Sequence, residues 1–358
     1  MEYYTFFIPP LVAFCATAIL TPVCLRFLKK FDVVDDPKKH KHPAIIHKRT
    51  IPRGGGIPLF LGVVVASIFF LPFTPTMIAT FFAATLALAI GVLDDKIDVS
   101  PYLRFFVNIL TAVVVVGSGI SVAFITNPLG GILFLKSIAV TVSFLGYPIV
   151  IALSDIIALL WIVWVMNMLN WSKGVDGQMP GIVAISAVVI GLLSLRFQAS
   201  DPNAHIAAVL SFIIAGSSLG FLLYNFYPAK IFPGYGATAI YLLLSVVSLL
   251  SGAKLATAIL VMGVPMVDGI FTILRRIASG KSPFWHDNKH LHHILLKLGF
   301  GQRSIALFYW CISAILGAVA LTLTSSGKLF AIIMLVVIVG GSLLFLHLAL
   351  RIHEKNTV

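Results

Sequence analysis

Long apolar runs recur along the whole sequence and constrain the fold more than any other feature of it. Each run is about 20 residues long, which in helical form spans the hydrocarbon core of a bilayer. Inside that core the backbone has to satisfy its own hydrogen bonds, and a helix does so within one segment. We therefore predict an all-α polytopic membrane protein, a bundle of about 11 transmembrane helices that forms one domain over residues 1–358. The predicted spans lie near residues 4–28, 55–72, 76–93, 101–121, 147–170, 180–196, 203–226, 236–251, 254–274, 304–324 and 328–350.

The charged residues agree with this class and indicate an orientation. They make up 11% of the chain, whereas soluble domains carry about 25%. The loops that alternate to one face carry every Lys and Arg except Lys136, Arg196, Lys254 and Lys328. By the positive-inside rule that face is cytoplasmic, with the N-terminus outside and the C-terminus inside. The net charge of +12 is concentrated on that face, where it predicts contact with anionic lipids of the inner membrane. We expect no nucleic-acid partner.

Three acidic residues stand at the cytoplasmic edge of the third span, in "GVLDDKIDVSP" (91–101). Ser100 is a good N-cap for the next helix, which places Asp94 and Asp95 at the C-terminal end of the preceding one. Carboxylates there face the negative end of the helix dipole, at a cost of about 0.3–1 kcal/mol each. With Asp98 one turn further on, the cluster predicts a site for a cation or a phosphate–metal complex. The alternative is a solvated loop whose acids offset the surrounding charges of Lys96 and Arg104.

Polar residues also end the fifth span, in "NMLNWSKGVDG" (167–177). Asn167 and Asn170 are three residues apart and share one helix face. Their amide oxygens and the carboxylate of Asp176 are hard donors suited to Mg²⁺, and amides also recognise a base or a sugar. The segment therefore predicts a nucleotide or metal site, and the alternative is helix capping and turn formation.

A basic loop precedes the second span, in "DDPKKHKHPAIIHKRTIPRGGGIP" (35–58). Backbone N–H groups of a glycine-rich turn before a helix can cradle a phosphate. The candidates for such a site are Lys48, Arg53, Gly54 and Gly55. The alternative is an electrostatic anchor to lipid headgroups.

Histidines cluster before the tenth span, in "SPFWHDNKHLHHILLKLGFGQR" (282–303). The pattern predicts a short amphipathic helix that Asp287 caps. On that helix His290 and His293 share a face, while His292 points elsewhere. Three imidazoles without a clustered carboxylate or thiol are a weak zinc signal. They suit a diphosphate better, because histidine is neutral or cationic near pH 7.

Together these segments resemble the polyprenyl-phosphate N-acetylhexosamine-1-phosphate transferases. The likeness runs over nearly the whole chain and includes "IPRGGGIP", "LDDKIDVSPYLR", "NMLNWSKGVDG" and "GKSPFWHDNKHLHHILLKLG". Four such motifs in this order on one side of a helical bundle are a specific combination. The His-x-His-His at 290–293 is similar to the branch that transfers GlcNAc-1-phosphate to undecaprenyl phosphate. The muramoyl branch tends to carry three adjacent histidines.

The resemblance implies transfer of a HexNAc-1-phosphate from a UDP-sugar to polyprenyl phosphate, release of UMP, a need for Mg²⁺, and a homodimer. This would be the first membrane step of cell-envelope glycan synthesis. Because the lipid phosphate is mostly dianionic at pH 7, it can attack without a general base. The harder task is to neutralise the charge of the lipid phosphate and of the UDP diphosphate, so that these two anions can approach each other. The implied catalytic residues are Asp94, Asp95, Asp98, His290, His292 and His293. The implied nucleotide-sugar contacts are Asn167, Asn170, Lys173, Asp176, Arg275 and Arg276. The implied lipid-phosphate contacts are Lys48, Arg53, Gly54 and Gly55, and the implied metal ligands are Asp95, Asn170 and Asp176.

Two positions depart from the family pattern. The loop after the second Asn usually reads Asp-Gly-x-Asp-Gly, and here Lys173 replaces the first Asp. The family's eighth helix opens with a Gly-Asp pair whose Asp binds Mg²⁺, whereas "IFPGYGATAIY" has Tyr235 at that place. Losing a hard anionic ligand weakens a Mg²⁺ site. Lys173 would then take over part of the metal's charge at a phosphate.

Three functional hypotheses follow. The transferase predicts UMP release that depends on Asp94, Asp95 and the histidines. A catalytically silent or metal-poor homologue that binds polyprenyl phosphate or a UDP-sugar is suggested by Lys173 and Tyr235, and the silent form predicts binding without turnover. A transporter is disfavoured, because transporters place ionisable residues near the bilayer midplane rather than at one surface.

Overall fold

The computed structural model describes residues 4–37, 49–127, 130–144, 147–199, 201–250, 255–285 and 287–356, and this part of the chain is mostly helical. Its helices are α1 Tyr4–Lys30, α2 Gly56–Phe70, α3 Pro75–Ile97, α4 Pro101–Gly117, α5 Leu153–Trp171, α6 Gln178–Leu195, α7 Pro202–Asn225, α8 Thr238–Leu249, α9 Leu255–Val261, α10 Gly263–Ala278, α11 Leu291–Lys297, α12 Gln302–Thr322 and α13 Ser325–Asn356. Its strands are β1 Val34–Asp35, β2 Ile51–Pro52, β3 Phe124–Thr126, β4 Ile132–Phe134, β5 Ala139–Phe144 and β6 Tyr147–Ala152.

Seven helices within the described ranges are long and apolar enough to cross a membrane: α1, α3, α5, α6, α7, α12 and α13. Helices α9 and α10 pass the same criterion as a pair, but a bend of 82° separates them. Helices α2, α4 and α8 are apolar and shorter, with 15, 17 and 12 residues. The protein is therefore a multi-pass membrane protein, and the count of eleven crossings and the orientation of the termini stay predictions.

Helix α8 lies at the centre of the bundle, and each of its twelve residues is buried. Helices α3, α5 and α7 pack around it, and α7 also packs along α1, α2 and α6. At the periphery α13 lies against α9 and α10. The core helix α8 therefore fixes the loop before it relative to the ends of its neighbours.

Two β-hairpins occupy the segment before α5. Strand β3 pairs antiparallel with β4, and β5 with β6, where Ala139 lies opposite Ala152. The predicted span at 147–170 is therefore wrong for its first six residues, because α5 begins only at Leu153. The runs "AVTVSF" and "YPIVIA" are rich in β-branched residues that favour strands, and apolar content alone does not distinguish a short strand from a helix.

One end of the bundle gathers the polar segments. Residues of α3, α5, α7 and α10 near their C-terminal ends, residues of α4, α6 and α11 near their N-terminal ends, and the loop before α8 line one cavity. The hairpins follow the other end of α4. The prediction that the motif-bearing loops lie on one side of the bundle is thus confirmed for the described residues.

Candidate active site

A cavity of about 570 Å³ opens at this end of the bundle. The predicted site residues that line it are Arg53, Asp94, Asp98, Asn167, Asn170, Lys173, Asp176, Arg276, His290, His292 and His293. The remaining described candidates, Asp95, Gly54, Gly55 and Arg275, are not among the lining residues. Lys48 lies outside the described residues. The fold therefore brings together most candidates from segments that are far apart in sequence.

Asp94 is held in the cavity wall by Arg104. Its side chain is 1% exposed, and Nη1 of Arg104 donates to Oδ1 and Oδ2 at 3.0 and 3.1 Å. Helix α3 ends at Ile97, and Asp98 follows as a left-handed C-cap (φ 51°) that is exposed. Asp94 is therefore buried rather than solvated, contrary to the alternative of a solvated loop. The charge pairing with Arg104 that this alternative named is confirmed for Asp94.

Asp95 is buried and holds the loop before α8 in place. The N–H of Tyr235 donates to Oδ1 at 2.8 Å, and the N–H of Gly236 donates to Oδ2 at 3.4 Å. Nε of Arg53 lies 3.5 Å from the same carboxylate. Gly234 makes this approach possible, because it adopts φ 67° and a Cβ there would meet the Asp95 carboxylate. Asp95 therefore orders the loop from behind the cavity wall.

The glycine-rich turn does not cradle a phosphate with the N–H of Gly55. That N–H donates to the carbonyl oxygen of Phe232 at 2.9 Å, and the N–H of Gly56 donates to Pro233 at 2.8 Å. Both glycines are buried against the loop before α8. The turn is used for packing, and Arg53 is the member of this segment that reaches the cavity.

Lys173 and Tyr235, far apart in sequence, meet in the cavity wall. Nζ of Lys173 donates to the carbonyl oxygen of Gly234 at 2.9 Å and lies 5.7 Å from the centroid of the Tyr235 ring. The guanidinium carbon of Arg104 lies 5.1 Å from the same centroid, so two cations share one ring. Nδ2 of Asn108 donates to the phenol oxygen at 3.1 Å. Burial raises the pKa of Tyr235 to about 12, so the phenol is neutral.

Lys173 stays mostly protonated near neutral pH. Burial lowers the pKa of its ammonium from 10.5 to about 8. The carboxylates of Asp95 and Asp94 act against this shift, and the guanidinium groups of Arg53 and Arg104 act with it. At pH 7 the cavity wall therefore carries this cation.

The three histidines form one buried cluster. Nδ1 of His290 lies 2.9 Å from Oδ2 of Asp268, and the N–H of Leu291 donates to Oδ1 at 3.1 Å. The ring centroid of His292 lies 4.2 Å from that of His293 and 5.6 Å from that of His290. The prediction that His292 points elsewhere is wrong, because His290 precedes α11 as its N-cap and does not follow helical spacing. Sequence reasoning also missed Asp268 as the partner of His290.

Two of the histidines are neutral at pH 7, and two polar atoms at the cavity are unpaired. Burial lowers the pKa of His292 well below its usual value and that of His293 to about 4, and the neighbouring imidazoles act in the same direction. Within the described chain, Nδ1 of His292 and Oδ1 of Asn170 are buried without a hydrogen-bond partner. Buried polar atoms are normally paired, so these two are candidates for hydrogen bonds to water or to a polar ligand in the cavity.

Asp287 does not cap α11 as predicted; it joins the loop before α11 to the end of α10. Its carboxylate lies 3.1 Å from Nη2 of Arg275 and 3.0 Å from Nε of Arg276. Burial alone raises the pKa of Asp287. The hydrogen bond and charge of Arg276, the charge of Arg275 and the N–H of Lys289 outweigh that effect and lower the pKa to about 2.

This ion pair predicts a pH-dependent stability. Because the folded pKa of Asp287 lies below the ordinary value of 3.8, its contribution is present above pH 4 and is lost as the pH falls towards 2. Asp287→Asn is expected to lower the free energy of unfolding by about 1–2 kcal/mol at pH 7, allowing for solvent screening. Thermal unfolding in detergent should show the gap between wild type and variant closing at low pH. A gap that does not change with pH would contradict this assignment.

Aromatic side chains that sequence reasoning missed surround the cavity. The ring of Phe284 packs edge-on against Tyr102 and Phe105, with centroids 5.5 and 5.2 Å apart. The ring of Trp171 lies 5.8 Å from the guanidinium carbon of Arg276 and is tilted over His290. Their one signal in the sequence is that Phe284 and Trp171 lie in or beside polar loops, where apolar rings are uncommon.

The predicted metal ligands do not form a carboxylate-rich metal site. The oxygens of Asp95 accept backbone N–H groups, and Oδ2 of Asp176 accepts the N–H of Ala229 at 2.8 Å. No group of three or more His, Cys, Asp or Glu side chains in the described ranges could hold a metal ion. Protein Mg²⁺ sites normally depend on one or two carboxylates available to the ion. The residues present therefore do not fit the implied Mg²⁺ site, and the requirement for Mg²⁺ stays a prediction from the motifs.

The site lies at one end of the helical bundle of a multi-pass membrane protein, and cations, amides and imidazoles line it. The model of glycosyl transferase family 4 matches residues 77–252. A probable undecaprenyl-phosphate N-acetylglucosaminyl 1-phosphate transferase of Bacillus subtilis is 31% identical over 91% of this chain and 88% of its own length. A decaprenyl-phosphate N-acetylglucosaminephosphotransferase of Mycobacterium tuberculosis is 30% identical over 83% of this chain and 78% of its own. An undecaprenyl-phosphate alpha-N-acetylglucosaminyl 1-phosphate transferase of Thermotoga maritima is 26% identical over 94% and 96%.

The chain therefore belongs to glycosyl transferase family 4. This confirms the resemblance drawn from the motifs, including the likeness to the GlcNAc-1-phosphate branch. It also excludes the transporter hypothesis in favour of a membrane-bound transferase.

Proposed function

We propose that the protein transfers a HexNAc-1-phosphate from a UDP-sugar to polyprenyl phosphate, with undecaprenyl phosphate as the acceptor. The observation that carries the proposal is the cavity itself, which Arg53, Arg104 and Lys173 line together with His292 and Asn170. In the described chain these last two residues each keep a buried polar atom without a hydrogen-bond partner. A diphosphate supplies both the negative charge and the hydrogen-bonding oxygens that such a wall accepts. The names of the relatives support the same reaction with a polyprenyl phosphate as acceptor, which is undecaprenyl phosphate in two of them and decaprenyl phosphate in the third.

The proposed chemistry needs no proton transfer. An oxygen of the dianionic lipid phosphate attacks the phosphorus that bears the sugar, and the bond from that phosphorus to the bridging oxygen breaks. UMP leaves as a dianion that keeps the bridging oxygen. The lipid product carries its own phosphate, the transferred phosphate and the sugar. The main task of the protein is therefore to align two anions and to neutralise their charge.

The residues that line the cavity have different roles in this task. Arg53, Arg104 and Lys173 line the cavity, and in this proposal they supply positive charge to the diphosphate and the lipid phosphate. Asn170 and His292 offer polar atoms to the nucleotide or the sugar. The remaining assignments stay as predicted from the motifs, with Asp98, Asn167, Asp176, Arg276, His290 and His293 at the cavity.

The setting of the reaction is also part of the proposal. The concentration of Lys and Arg at this end of the bundle supports a cytoplasmic active site in the inner membrane. Contacts with membrane lipids and a homodimer stay predictions. The catalytically silent homologue is the competing hypothesis, because Lys173 and Tyr235 replace acids of the family motif.

UMP release tests the proposal. Purified protein in detergent is incubated with UDP-GlcNAc and undecaprenyl phosphate, and UMP is quantified with each substrate omitted in turn. Release that requires both substrates is the expected result. Binding of UDP-GlcNAc without any UMP release would establish the silent homologue instead. UDP-GalNAc serves in a parallel assay to identify the sugar.

Gly174 offers a sharper test of the histidine cluster. A Cβ at this position would collide with the imidazole of His292. Gly174→Ala is expected to displace His292 and to lower the rate of UMP release by about tenfold or more. The matched control is Gly341→Ala in α13, where a Cβ meets no atom. Equal rates for the two variants would show that the position of His292 does not matter for turnover.

A further inference from the structure

Three cations and two carboxylates lie together at the cavity, with Asp95 behind its wall and the other four in it. Each carboxylate already has a guanidinium beside it: Nη1 of Arg104 lies 3.0 Å from Asp94, and Nε of Arg53 lies 3.5 Å from Asp95. Lys173 is the cation left over after these pairings. Among these five described side chains the positive charges outnumber the negative ones by one, and Lys173 carries that surplus charge.

The ammonium of Lys173 is available to a ligand. An ammonium has three N–H donors, and the carbonyl oxygen of Gly234 takes one of them at 2.9 Å. The side chain lines the cavity, so its other donors are within reach of phosphate oxygens there. The bond to Gly234 fixes the long side chain in one place, which lowers the entropy lost when a phosphate binds.

Tyr235 supports the cation and offers no charge to a metal. Its ring lies under Lys173 and Arg104, at 5.7 and 5.1 Å from their charged groups, and its hydroxyl accepts from Asn108. A neutral phenol is a poor ligand for Mg²⁺, which prefers carboxylates and water. A divalent cation beside Lys173 would also meet like-charge repulsion. Lys173 and Tyr235 thus occupy the two positions where the family motif has acids, and the ammonium of the first lies over the aromatic ring of the second.

We propose that Lys173 supplies the diphosphate with the positive charge that a bound divalent cation would otherwise supply, so that the transfer does not require Mg²⁺. This inference rests on the proposed function. The bonds that form and break are those already given, and Lys173 neutralises charge without transferring a proton. Arg104 holds the shared ring and Asp94, and so positions the same part of the wall.

The first test is the rate of UMP release by wild-type protein from UDP-GlcNAc and undecaprenyl phosphate, in excess EDTA and in excess Mg²⁺. Rates that agree within about twofold are expected if Lys173 replaces the metal. Activity that disappears in EDTA and returns with Mg²⁺ would overturn the inference and leave the proposed function intact. Absence of UMP release under every condition would remove the proposed function and this inference together.

Variants at Lys173 test the source of the charge. Lys173→Ala and Lys173→Gln are each expected to lower the rate in EDTA by about 100-fold, as removal of one transition-state donor does. Lys230→Ala is the matched control, because Lys230 is exposed and does not line the cavity. Size-exclusion profiles and melting temperatures check that the variants fold. Folded Lys173 variants that keep wild-type rates in EDTA would refute the assignment.

Metal binding gives a readout that is independent of turnover. Mn²⁺ serves as a paramagnetic substitute for Mg²⁺, and electron paramagnetic resonance measures the fraction bound. The Lys173→Asp/Tyr235→Asp double variant, or Lys173→Asp alone if the double variant does not fold, is expected to bind Mn²⁺ about tenfold or more tightly than wild type. Equal Mn²⁺ affinity of wild type and variant would contradict the inference.

Discussion

Asp95→Asn is expected to lower the rate of UMP release by about 100- to 1,000-fold. The carboxylate accepts the N–H groups of Tyr235 and Gly236 and faces Arg53. The amide keeps the shape but loses the charge, and it turns an N–H donor towards groups that are themselves donors. The loop that carries Gly234, the partner of Lys173, then loses its anchor, so the cation moves away from its position in the wall.

The control for Asp95 is an acid at the other end of the bundle. Asp201→Asn changes the N-cap of α7, which begins at the end remote from the cavity, and is expected to leave the rate of UMP release unchanged. Melting temperatures separate loss of fold from loss of activity. A folded Asp95→Asn protein with wild-type rate would show that the order of this loop is not required.

His290→Ala is expected to lower the rate by about 100-fold or more. His290 is buried at the start of α11, is held by Asp268 and contacts the ring of His292. Its loss removes one wall of the histidine cluster and leaves the Asp268 carboxylate buried with a single partner, the N–H of Leu291, among the contacts described here. The rate of UMP release and the affinity for UDP-GlcNAc are both measured.

Asp268→Asn distinguishes positioning from direct action of His290. The amide still accepts the N–H of Leu291 but no longer carries the charge that faces His290, so we expect a loss of about tenfold. His205→Ala is the matched control, because His205 lies at the far end of α7 and contacts Phe6. If Asp268→Asn lowers the rate as much as His290→Ala does, turnover requires the Asp268 carboxylate that faces His290 as much as it requires the imidazole itself.

The sequence was sufficient to predict the helical membrane class and most of the cavity. Apolar runs of membrane-spanning length predicted the helices, and the polar residues at their ends predicted Asp94, Asn167, Asn170, Lys173 and the histidines as neighbours. This worked because loops on one side of an alternating bundle have to meet at the same end. The prediction did not depend on the exact helix boundaries.

The remaining features depend on packing that sequence spacing does not encode. The pairing of Asp268 with His290 joins α10 to the residue before α11 and follows from how these segments pack. Helical spacing misplaced His292, because His290 stands outside α11 as its N-cap. The glycine-rich turn was predicted as a phosphate cradle, but the N–H of Gly55 is taken by the loop before α8. The hairpins before α5 share the apolar composition of a span.

The fate of the two phosphorus atoms of UDP-GlcNAc tests the central proposal most directly. Wild-type protein is given undecaprenyl phosphate and UDP-GlcNAc that is radiolabelled at the phosphorus next to the sugar, and the lipid and nucleotide products are separated. Transfer of a sugar-1-phosphate predicts that the label enters the lipid in equal amount to the UMP released, and that the nucleotide product carries none. Label that remains in the nucleotide, released as UDP while the sugar alone reaches the lipid, would contradict it.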